Sequence, residues 1–318
     1  MGGPKPARKR PHGNINRWLH WLDCMNLGAA NNRGRNPRGR QVLALAGAFL
    51  AVMLLARPLW ACTLWAAAGE RVAGGGTLLV KNRDWRPDHR QELKLVHPTE
   101  GFYAYYCLYA DGPDRGVKAG INQKGLVVVS ATAPFSQAQR EAMYRTPALN
   151  AKLLANCADV SQALNSTGWF WGPRFLLLAD AFEIALLAIG PEGNYQITRT
   201  KSGVLYHTNH YVQPALVQFN PDKKLTSSRA RFERISRLLA GDEKFTLAEF
   251  AEMAASRQGG PDNALWRTGK KPSFTRTLST WIVQHKPAQG AELYVKIANP
   301  GEEVKEYHLR APEIFTPQ

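Results

Sequence analysis

Short apolar runs separated by polar or Gly-containing segments recur along residues 62–318, a pattern typical of antiparallel strands. Two pairs of runs predict hairpins, one turning at Gln123-Lys124 and the other between residues 179 and 183. The runs that we predict as strands are 77–81, 103–109, 117–122, 125–131, 175–179, 183–189, 195–198, 204–208, 277–283, 293–297 and 305–309.

Three further segments repeat apolar residues at helical spacing. One follows Thr146-Pro147, where Thr is expected to cap the helix and Pro to occupy its first position. A second is expected to begin at Ser228, and a third at Thr246, which forms a capping box with Glu249. Helices placed between sets of strands predict an α+β protein whose helices cover the faces of antiparallel sheets.

Charge is distributed unevenly along the chain. It carries 41 Lys and Arg against 25 Asp and Glu, a formal net charge of +16. Residues 1–61 contain ten of the basic residues and one acidic residue, so residues 62–318 carry 31 basic and 24 acidic residues. No basic cluster stands out in that second part, and no nucleic-acid partner is expected. A moderately basic surface favours anionic substrates or membrane surfaces without identifying either.

The first 61 residues resemble a targeting segment. An uncharged apolar run spans residues 42–56 and ends at Arg57-Pro58. This run is long for a signal peptide and short for a membrane span, so an uncleaved anchor is the alternative. We expect residues 1–61 to be a basic extension plus signal peptide, and residues 62–318 to be a single periplasmic or secreted domain. The basic residues that precede the run are Arg33, Arg35, Arg38 and Arg40.

Four cysteines are present, and Cys24 lies in the expected leader. An odd number in the remainder of an exported chain is consistent with one reactive thiol and one disulfide. Cys107 and Cys157 either form that disulfide or remain as two buried thiols, and the sequence leaves both open.

Cys62 is the strongest candidate for chemistry, because it follows closely after the apolar run and the Arg57-Pro58 pair that ends the run. Such a Cys is either lipidated, as in a bacterial lipoprotein, or an N-terminal nucleophile whose own α-amine is the base. The reference pKa values of an α-amine, about 8, and a thiol, about 8.5, make that proton transfer easy at neutral pH. A lipidated Cys is usually followed by a flexible polar tether. Residues 62–65 are apolar instead, which favours the nucleophile.

Four segments carry a resemblance to a known family. They are Cys62-Thr63, the run Asn82-Arg-Asp-Trp85, the run Gly120-Ile-Asn-Gln-Lys-Gly-Leu126, and Thr208-Asn-His-Tyr211 followed by Ser228-Arg-Ala-Arg-Phe232. In this order and spacing, from residue 62 to about 310, they resemble the choloylglycine hydrolase and penicillin acyltransferase group. These are linear-amide C–N hydrolases of the N-terminal-nucleophile superfamily.

The resemblance implies a fold and a set of roles. The fold would be a four-layer αββα sandwich, with two antiparallel sheets between helical layers. Cys62 would be nucleophile and general base, and Asp84 would accept hydrogen bonds from its amine. Asn209 would donate to the oxyanion, a contribution of about 3 kcal/mol per donor in related chemistry. Arg231 would stabilise charge near the thiolate or hold Asp84.

Two positions depart from the family's pattern. Choloylglycine hydrolases have Arg where this chain has Lys81, which replaces a planar fork with a point charge. Many also have Asn near the end of the strand at 125–131, where Thr132 stands, so a backbone N–H would have to replace that donor. We expect Lys81, Asn82 and Thr132 to bind substrate or to support the site.

Each of these residues also has a purely structural alternative. Asp84 is then a loop carboxylate, Asn209 closes a turn, and Arg231 lies on a solvated basic helix face. The spacing of His207 and His210 is not diagnostic of a metal site, and no metal or other cofactor is expected.

We therefore expect an exported N-terminal-cysteine amidohydrolase that cleaves a linear amide bond through a thioester. Conjugated bile salts, penicillins, N-acyl amino acids and acyl-homoserine lactones all fit this chemistry. The expected partner is a small-molecule acyl amide, with membrane contact only through the leader during export, and homo-oligomerisation stays open. The alternatives are an acyltransferase of the same fold, a non-catalytic envelope lipoprotein lipidated on Cys62, or a relative that binds amides without cleaving them.

Overall fold

The computed structural model describes residues 62–112, 115–221 and 225–316, in which thirteen strands form two antiparallel sheets. One sheet has the strand order β10-β1-β2-β11-β12-β13, and the other runs from β3 to β9 in sequence order. The strands are β1 Thr63–Ala68, β2 Thr77–Trp85, β3 Gln91–Val96, β4 Tyr105–Ala110, β5 Gly116–Asn122, β6 Val127–Thr132, β7 Arg174–Ala179, β8 Ile184–Ile189, β9 Tyr195–Thr200, β10 Gly203–His207, β11 Arg276–Lys286, β12 Gly290–Ile297 and β13 Lys305–Arg310.

Seven α-helices occur in the same residues, two of them with capping boxes. Ser136 caps α1 together with Gln139, and Thr246 caps α5 together with Glu249. The helices are α1 Gln137–Ala142, α2 Leu149–Asn156, α3 Val160–Asn165, α4 Thr226–Leu238, α5 Leu247–Ala255, α6 Gly260–Asn263 and α7 Ala311–Phe315.

The two sheets face each other across the main apolar core. Leu64 and Ala66 of β1 pack in one buried cluster with Val129 of β6 and Phe175 of β7. Side chains alternate across a strand, so the residues between them point to the opposite face of each sheet. Cys62 belongs to this inter-sheet cluster, directly before β1.

Helices cover both outer faces. Leu149 and Leu153 of α2 pack with Val128 on the outside of the seven-stranded sheet. Ile235 of α4 packs with Trp65 on the outside of the six-stranded sheet, and α5 adds Phe250 to the same cluster. Strands β1, β2, β11 and β12 supply the sheet side of this cluster. The order helix, sheet, sheet, helix confirms the predicted α+β class and the αββα sandwich.

All eleven predicted strands are present, with ends shifted by up to a few residues, and β1 and β3 are additional strands that were not predicted. All six residues of β1 are buried, so both faces are covered and no polar alternation marks it. β3 is an edge strand in which Glu92 and Lys94 interrupt the apolar pattern.

Two predicted helix starts are wrong. Ala148, at φ 46°, precedes the first residue of α2, while the Thr146 hydroxyl donates to the Trp169 carbonyl at 2.6 Å. Helix α4 begins at Thr226, so Ser228 lies inside it and is buried.

The described cysteines are all free and buried, which decides the question that the sequence left open for Cys107 and Cys157 in favour of two unpaired thiols. Burial raises the pKa of Cys107 to about 12. The predicted signal peptide and Cys24 lie outside the described residues. Within the described ranges, no helix has both the length and the apolar character needed to cross a bilayer.

Gly120 offers a test of the packing between α2 and the sheet below it. A Cβ on Gly120 would lie 2.6 Å from Leu154 Cδ1 and 3.0 Å from the Tyr106 carbonyl oxygen. We expect Gly120→Ala to lower the free energy of unfolding by about 1–3 kcal/mol through overpacking, measured by denaturant titration.

Gly168→Ala is the matched control, because a Cβ there meets no atom within 4 Å. Its free energy of unfolding should stay within about 1 kcal/mol of the unsubstituted protein. Equal effects of the two substitutions would contradict the described packing.

Candidate active site

Cys62 enters the site at the end of an interior strand of the six-stranded sheet. It precedes β1, which pairs with β2 on one side and with β10 on the other. Its side chain is buried and lines a cavity of about 700 Å³. A nucleophile on a central strand is held more precisely than one on a loop.

Asn209 follows the end of β10 and contacts the Cys62 backbone. The Cys62 N–H donates to Asn209 Oδ1 at 2.8 Å, and Asn209 Nδ2 donates to the Thr132 carbonyl at 2.8 Å. The structure thus brings together Cys62, Asn209 and Thr132, but Thr132 contributes a carbonyl acceptor here, whereas a backbone N–H donor was expected.

Arg231 projects from α4 to the same backbone. Its Nη1 donates to the Cys62 carbonyl at 2.8 Å and to Thr63 Oγ1 at 2.6 Å, and its Nη2 donates to Asn209 Oδ1 at 3.2 Å. The side chain is fully buried, which excludes the solvated basic face as its environment. Burial lowers the pKa of Arg231 to about 10, opposed by the charges of Asp84 and Cys62, so the guanidinium is charged at neutral pH.

Ser228, also on α4, fixes the turn that carries Asn209. Its hydroxyl accepts the Asn209 N–H at 2.9 Å and lies 2.8 Å from His210 Nδ1. Thr208 Oγ1 donates to the Ser228 carbonyl at 3.0 Å. Ser228 was predicted to cap a helix. Its place in the segment 228–232, which carries part of the family resemblance and contains Arg231, was the signal for a role in the site.

Asp84 is held by two side chains that lie outside the predicted motifs. Its Oδ1 accepts from Thr277 Oγ1 at 2.7 Å, and its Oδ2 lies 3.7 Å from Arg267 Nη1. The Cys62 peptide N–H donates to Asn209, and Cys62 Sγ lies 4.0 Å from the Asp84 backbone carbonyl. The predicted contact of Asp84 concerns the α-amine that cleavage before Cys62 would create, and it stays a prediction.

The alternation of side chains along β2 explains the direction in which Asp84 points. Lys81 and Arg83 line the cavity between the sheets, whereas Asn82 and Asp84, offset by one residue, face the outer helical layer. Burial raises the pKa of Asp84, and the charges of Arg267 and Arg231 and the Thr277 hydroxyl oppose that shift. Nothing in the local sequence marks Thr277 or Arg267, which lie more than 180 residues from Asp84.

Lys81 and Asn82 connect β2 to different layers of the sandwich. Lys81 Nζ donates to the carbonyls of Lys118, at 2.8 Å, and Ser130, and so links β2 to the opposite sheet. Asn82 Nδ2 donates to the carbonyls of Ala254 and Leu265, which connects β2 to the outer layer. Asn82 is not among the cavity-lining residues, so its geometry fits the supporting role that was predicted and not substrate contact.

Comparison with known proteins identifies a family to which this chain is similar. The model of the family described as acyl-coenzyme A:6-aminopenicillanic acid acyl-transferase matches residues 72–297. The match spans β2 to β12 and includes Asp84, Asn209 and Arg231, while Cys62 precedes it. No curated protein matches the chain.

Several solved structures are similar at low identity. A variant of conjugated bile acid hydrolase from Clostridium perfringens is 14% identical, with a TM-score of 0.48, covering 79% of this chain and 93% of that one. Penicillin V acylase from Agrobacterium tumefaciens is 15% identical, with a TM-score of 0.45 and coverage of 78% and 86%. The Caenorhabditis elegans ortholog of N-acylethanolamine-hydrolyzing acid amidase is 12% identical, with a TM-score of 0.48 and coverage of 70% and 92%.

His207, at the end of β10 beside the site, predicts a pH dependence of stability. Burial lowers its pKa from 6.5 to about 4, so the folded protein keeps it neutral where the unfolded chain is protonated. The free energy of unfolding should therefore fall as pH drops from about 6.5 to about 4, by on the order of 3 kcal/mol from this residue.

Denaturant titrations across that pH range would measure the slope. Burial also lowers the pKa values of His210 and His285 to about 4, so His207→Gln should reduce the slope by about a third. His308→Gln, which changes an exposed histidine, should leave the slope unchanged. A slope that is the same in all three proteins would contradict the assignment.

Proposed function

Because the chain belongs to the acyl-coenzyme A:6-aminopenicillanic acid acyl-transferase family, we propose that it is a cysteine-dependent enzyme that opens linear amide bonds. Amide cleavage and acyl transfer share one first half-reaction, in which the acyl group passes to the nucleophile. The two outcomes differ only in whether water or an amine accepts that group.

The observation that carries this proposal is the way in which Cys62 is held. Its N–H and its carbonyl are both bound by side chains more than 140 residues away, while its sulfur lines a cavity. Buried polar contacts of this kind fix a backbone in one place, and a positioned thiol beside a cavity is the arrangement that nucleophilic catalysis requires.

The proposed reaction begins after hydrolysis of the Ala61–Cys62 peptide bond, which converts the Cys62 nitrogen into an α-amine. The amine takes the thiol proton, the sulfur attacks the amide carbon, and a tetrahedral oxyanion forms. The amine then passes the proton to the leaving nitrogen as the C–N bond breaks and a thioester remains. In the second half the amine takes a proton from water, whose oxygen attacks the thioester carbon. The C–S bond then breaks, the sulfur regains a proton from the amine, and the acid product leaves.

The surrounding residues receive roles within that scheme. Asn209 Oδ1 orients the amine, and the second hydrogen on Nδ2, beyond the one donated to Thr132, is available to the oxyanion. Arg231 fixes the Cys62 carbonyl and places a positive charge near the thiolate. Asp84 is a positioning residue that balances the charges of Arg231 and Arg267.

Export is part of the proposal. The apolar run at 42–56 behind four arginines supports a signal peptide and a periplasmic or secreted enzyme. Cys62 is only 3% exposed and lies between the two sheets, so a lipid attached to its sulfur could not reach a bilayer without opening the fold. That burial favours the nucleophile over the lipoprotein alternative.

Acyl transfer is the second candidate, favoured by the family's own description. The names of the similar structures, a bile acid hydrolase, a penicillin acylase and an acylethanolamine amidase, suggest the first amides to screen. N-acyl amino acids and acyl-homoserine lactones complete that panel.

The nucleophile is tested by Cys62→Ala and Cys62→Ser, assayed on whichever amide of the panel the unsubstituted protein cleaves. Loss of the thiolate removes the acyl carrier, so we expect kcat to fall by about 10³-fold or more. Mass spectrometry of the quenched unsubstituted protein should show the acyl group on Cys62.

Cys157→Ala is the control, because it removes a buried thiol away from the cavity. It should retain activity. Undiminished hydrolysis by correctly processed Cys62→Ala protein would rule out the thioester scheme.

A further inference from the structure

Arg267 is a buried arginine beside Asp84 that the sequence motifs do not include. It lies between α6 and β11 and is only 5% exposed. Its Nη1 lies 3.7 Å from Asp84 Oδ2, and within the described part of the chain neither its Nη1 nor its Nε has a hydrogen-bond acceptor. Burying a guanidinium is unfavourable unless an opposite charge lies close to it. The burial of Arg267 therefore points to the Asp84 carboxylate as its partner.

The segment that carries Arg267 is fixed to β11 at the level of Asp84. The Thr277 N–H donates to the Arg267 carbonyl at 3.0 Å, and the Arg267 N–H donates to Thr277 Oγ1 at 2.8 Å. The Thr277 hydroxyl in turn donates to Asp84 Oδ1 at 2.7 Å. The register between β2 and β11 shifts between Thr277 and Ser279, and an irregularity of this kind can re-aim a side chain. One hydroxyl group thus links the Arg267 backbone to the Asp84 carboxylate.

Asn82, which points to the same face of β2 as Asp84, binds the same segment. Asn82 Nδ2 donates to the Leu265 carbonyl at 2.8 Å, and Asn82 Oδ1 accepts from Thr280 Oγ1 at 2.7 Å. Leu265 precedes Arg267 by two residues, so the backbone on either side of the Arg267 side chain is anchored to the sheet. Buried and satisfied hydrogen bonds of this kind make a segment rigid. They hold Arg267 close to Asp84.

Asp262 is a second acidic neighbour of Arg267, and it is the weaker one. Asp262 Oδ1 lies 4.0 Å from Arg267 Nη2, while Asp262 Oδ2 lies 3.7 Å from Lys270 Nζ. The Asp262 side chain is 26% exposed, so water and salt screen its charge, whereas Asp84 is fully buried. The pair of Arg267 with Asp84 is therefore the stronger of the two.

The groups around Asp84 act in opposite directions on its ionisation. Burial raises the pKa of Asp84, and the charge of Arg267 is the largest influence that lowers it, followed by Arg231, the Thr277 hydroxyl and Arg83. These groups come from the segment before β11, from α4, from β11 and from β2. Without Arg267, the buried carboxyl group would keep its proton to a higher pH.

We propose that Arg267 is a positioning residue of the active site, which holds the Asp84 carboxylate ionised and in one place. The inference rests on the proposed function, because Asp84 is the acceptor expected for the α-amine that cleavage before Cys62 would create. An ionised carboxylate only accepts hydrogen bonds, whereas a protonated carboxyl group also donates one and defines the orientation of an amine less well. Arg267 acts through Asp84 and is not among the residues that line the cavity.

Carbon-13 NMR of the Asp side-chain carboxyl groups in the purified protein tests the ionisation directly, with the Asp84 signal assigned through Asp84→Asn. Arg267→Met removes the charge and keeps a long side chain, so the titration midpoint of Asp84 should rise by about one pH unit or more. Arg267→Lys keeps the charge and should reverse at least about half of that rise. If Arg267→Met does not fold, Arg267→Gln removes the charge in its place.

The pH profile of turnover connects the ionisation to the reaction. On whichever amide the unsubstituted protein cleaves, the acid limb of kcat/KM should move to higher pH in Arg267→Met and return towards its original position in Arg267→Lys. Arg234→Met is the matched control, because it removes a half-buried guanidinium of the same helical layer that contacts Ser256 and Gln258. It should leave both the Asp84 midpoint and the acid limb unchanged.

The two readouts separate this inference from the proposed function. An Asp84 midpoint that stays unchanged in Arg267→Met would overturn the inference, whether or not the protein cleaves amides. A raised midpoint with an unmoved acid limb would also overturn it, because Arg267 would then pair with Asp84 without serving the reaction. A raised midpoint in a protein that cleaves no amide of the panel would support the hold of Arg267 on Asp84 and count against the proposed amide chemistry.

Discussion

The contact between Arg231 and the backbone of Cys62 is the constraint on which the site depends. Burying a guanidinium costs several kcal/mol unless its donors are satisfied and an opposite charge lies near. Here the Cys62 carbonyl, Thr63 Oγ1 and Asn209 Oδ1 accept its hydrogen bonds, and the Asp84 carboxylate supplies the charge. One side chain contacts all three acceptors. Its hydrogen bonds are therefore satisfied in only one arrangement of α4, β1 and the turn after β10.

The two faces of the six-stranded sheet carry different parts of the site. Arg231 and Asp84 lie on the helical side of the six-stranded sheet, where they are buried. The Cys62 sulfur lies on the inner side, in a cavity that β5, β6 and β7 of the seven-stranded sheet help to line. The charged groups that support the site are thus shielded from water, while the thiol faces the space that a substrate can enter.

Sequence analysis could predict the fold class and most strands because turn residues and short apolar runs are local signals. It also brought Cys62, Asn209 and Arg231 together, through motifs in a fixed order. It failed where the signal is not local: β1 is covered on both faces, and Thr277 reaches Asp84 only through strand pairing. The sequence alone could have predicted that Lys81 and Asp84 point to opposite faces of the sheet, because residues three apart on a strand do so.

The central claim is that Cys62 works as a free N-terminal nucleophile, and the intact mass and N-terminal sequence of the purified protein test it most directly. The account predicts a chain that begins at unmodified Cys62, with thiol and α-amine both free. An active protein that still carries residue 61, or a Cys62 that carries a lipid, would remove the proposed base and contradict the account.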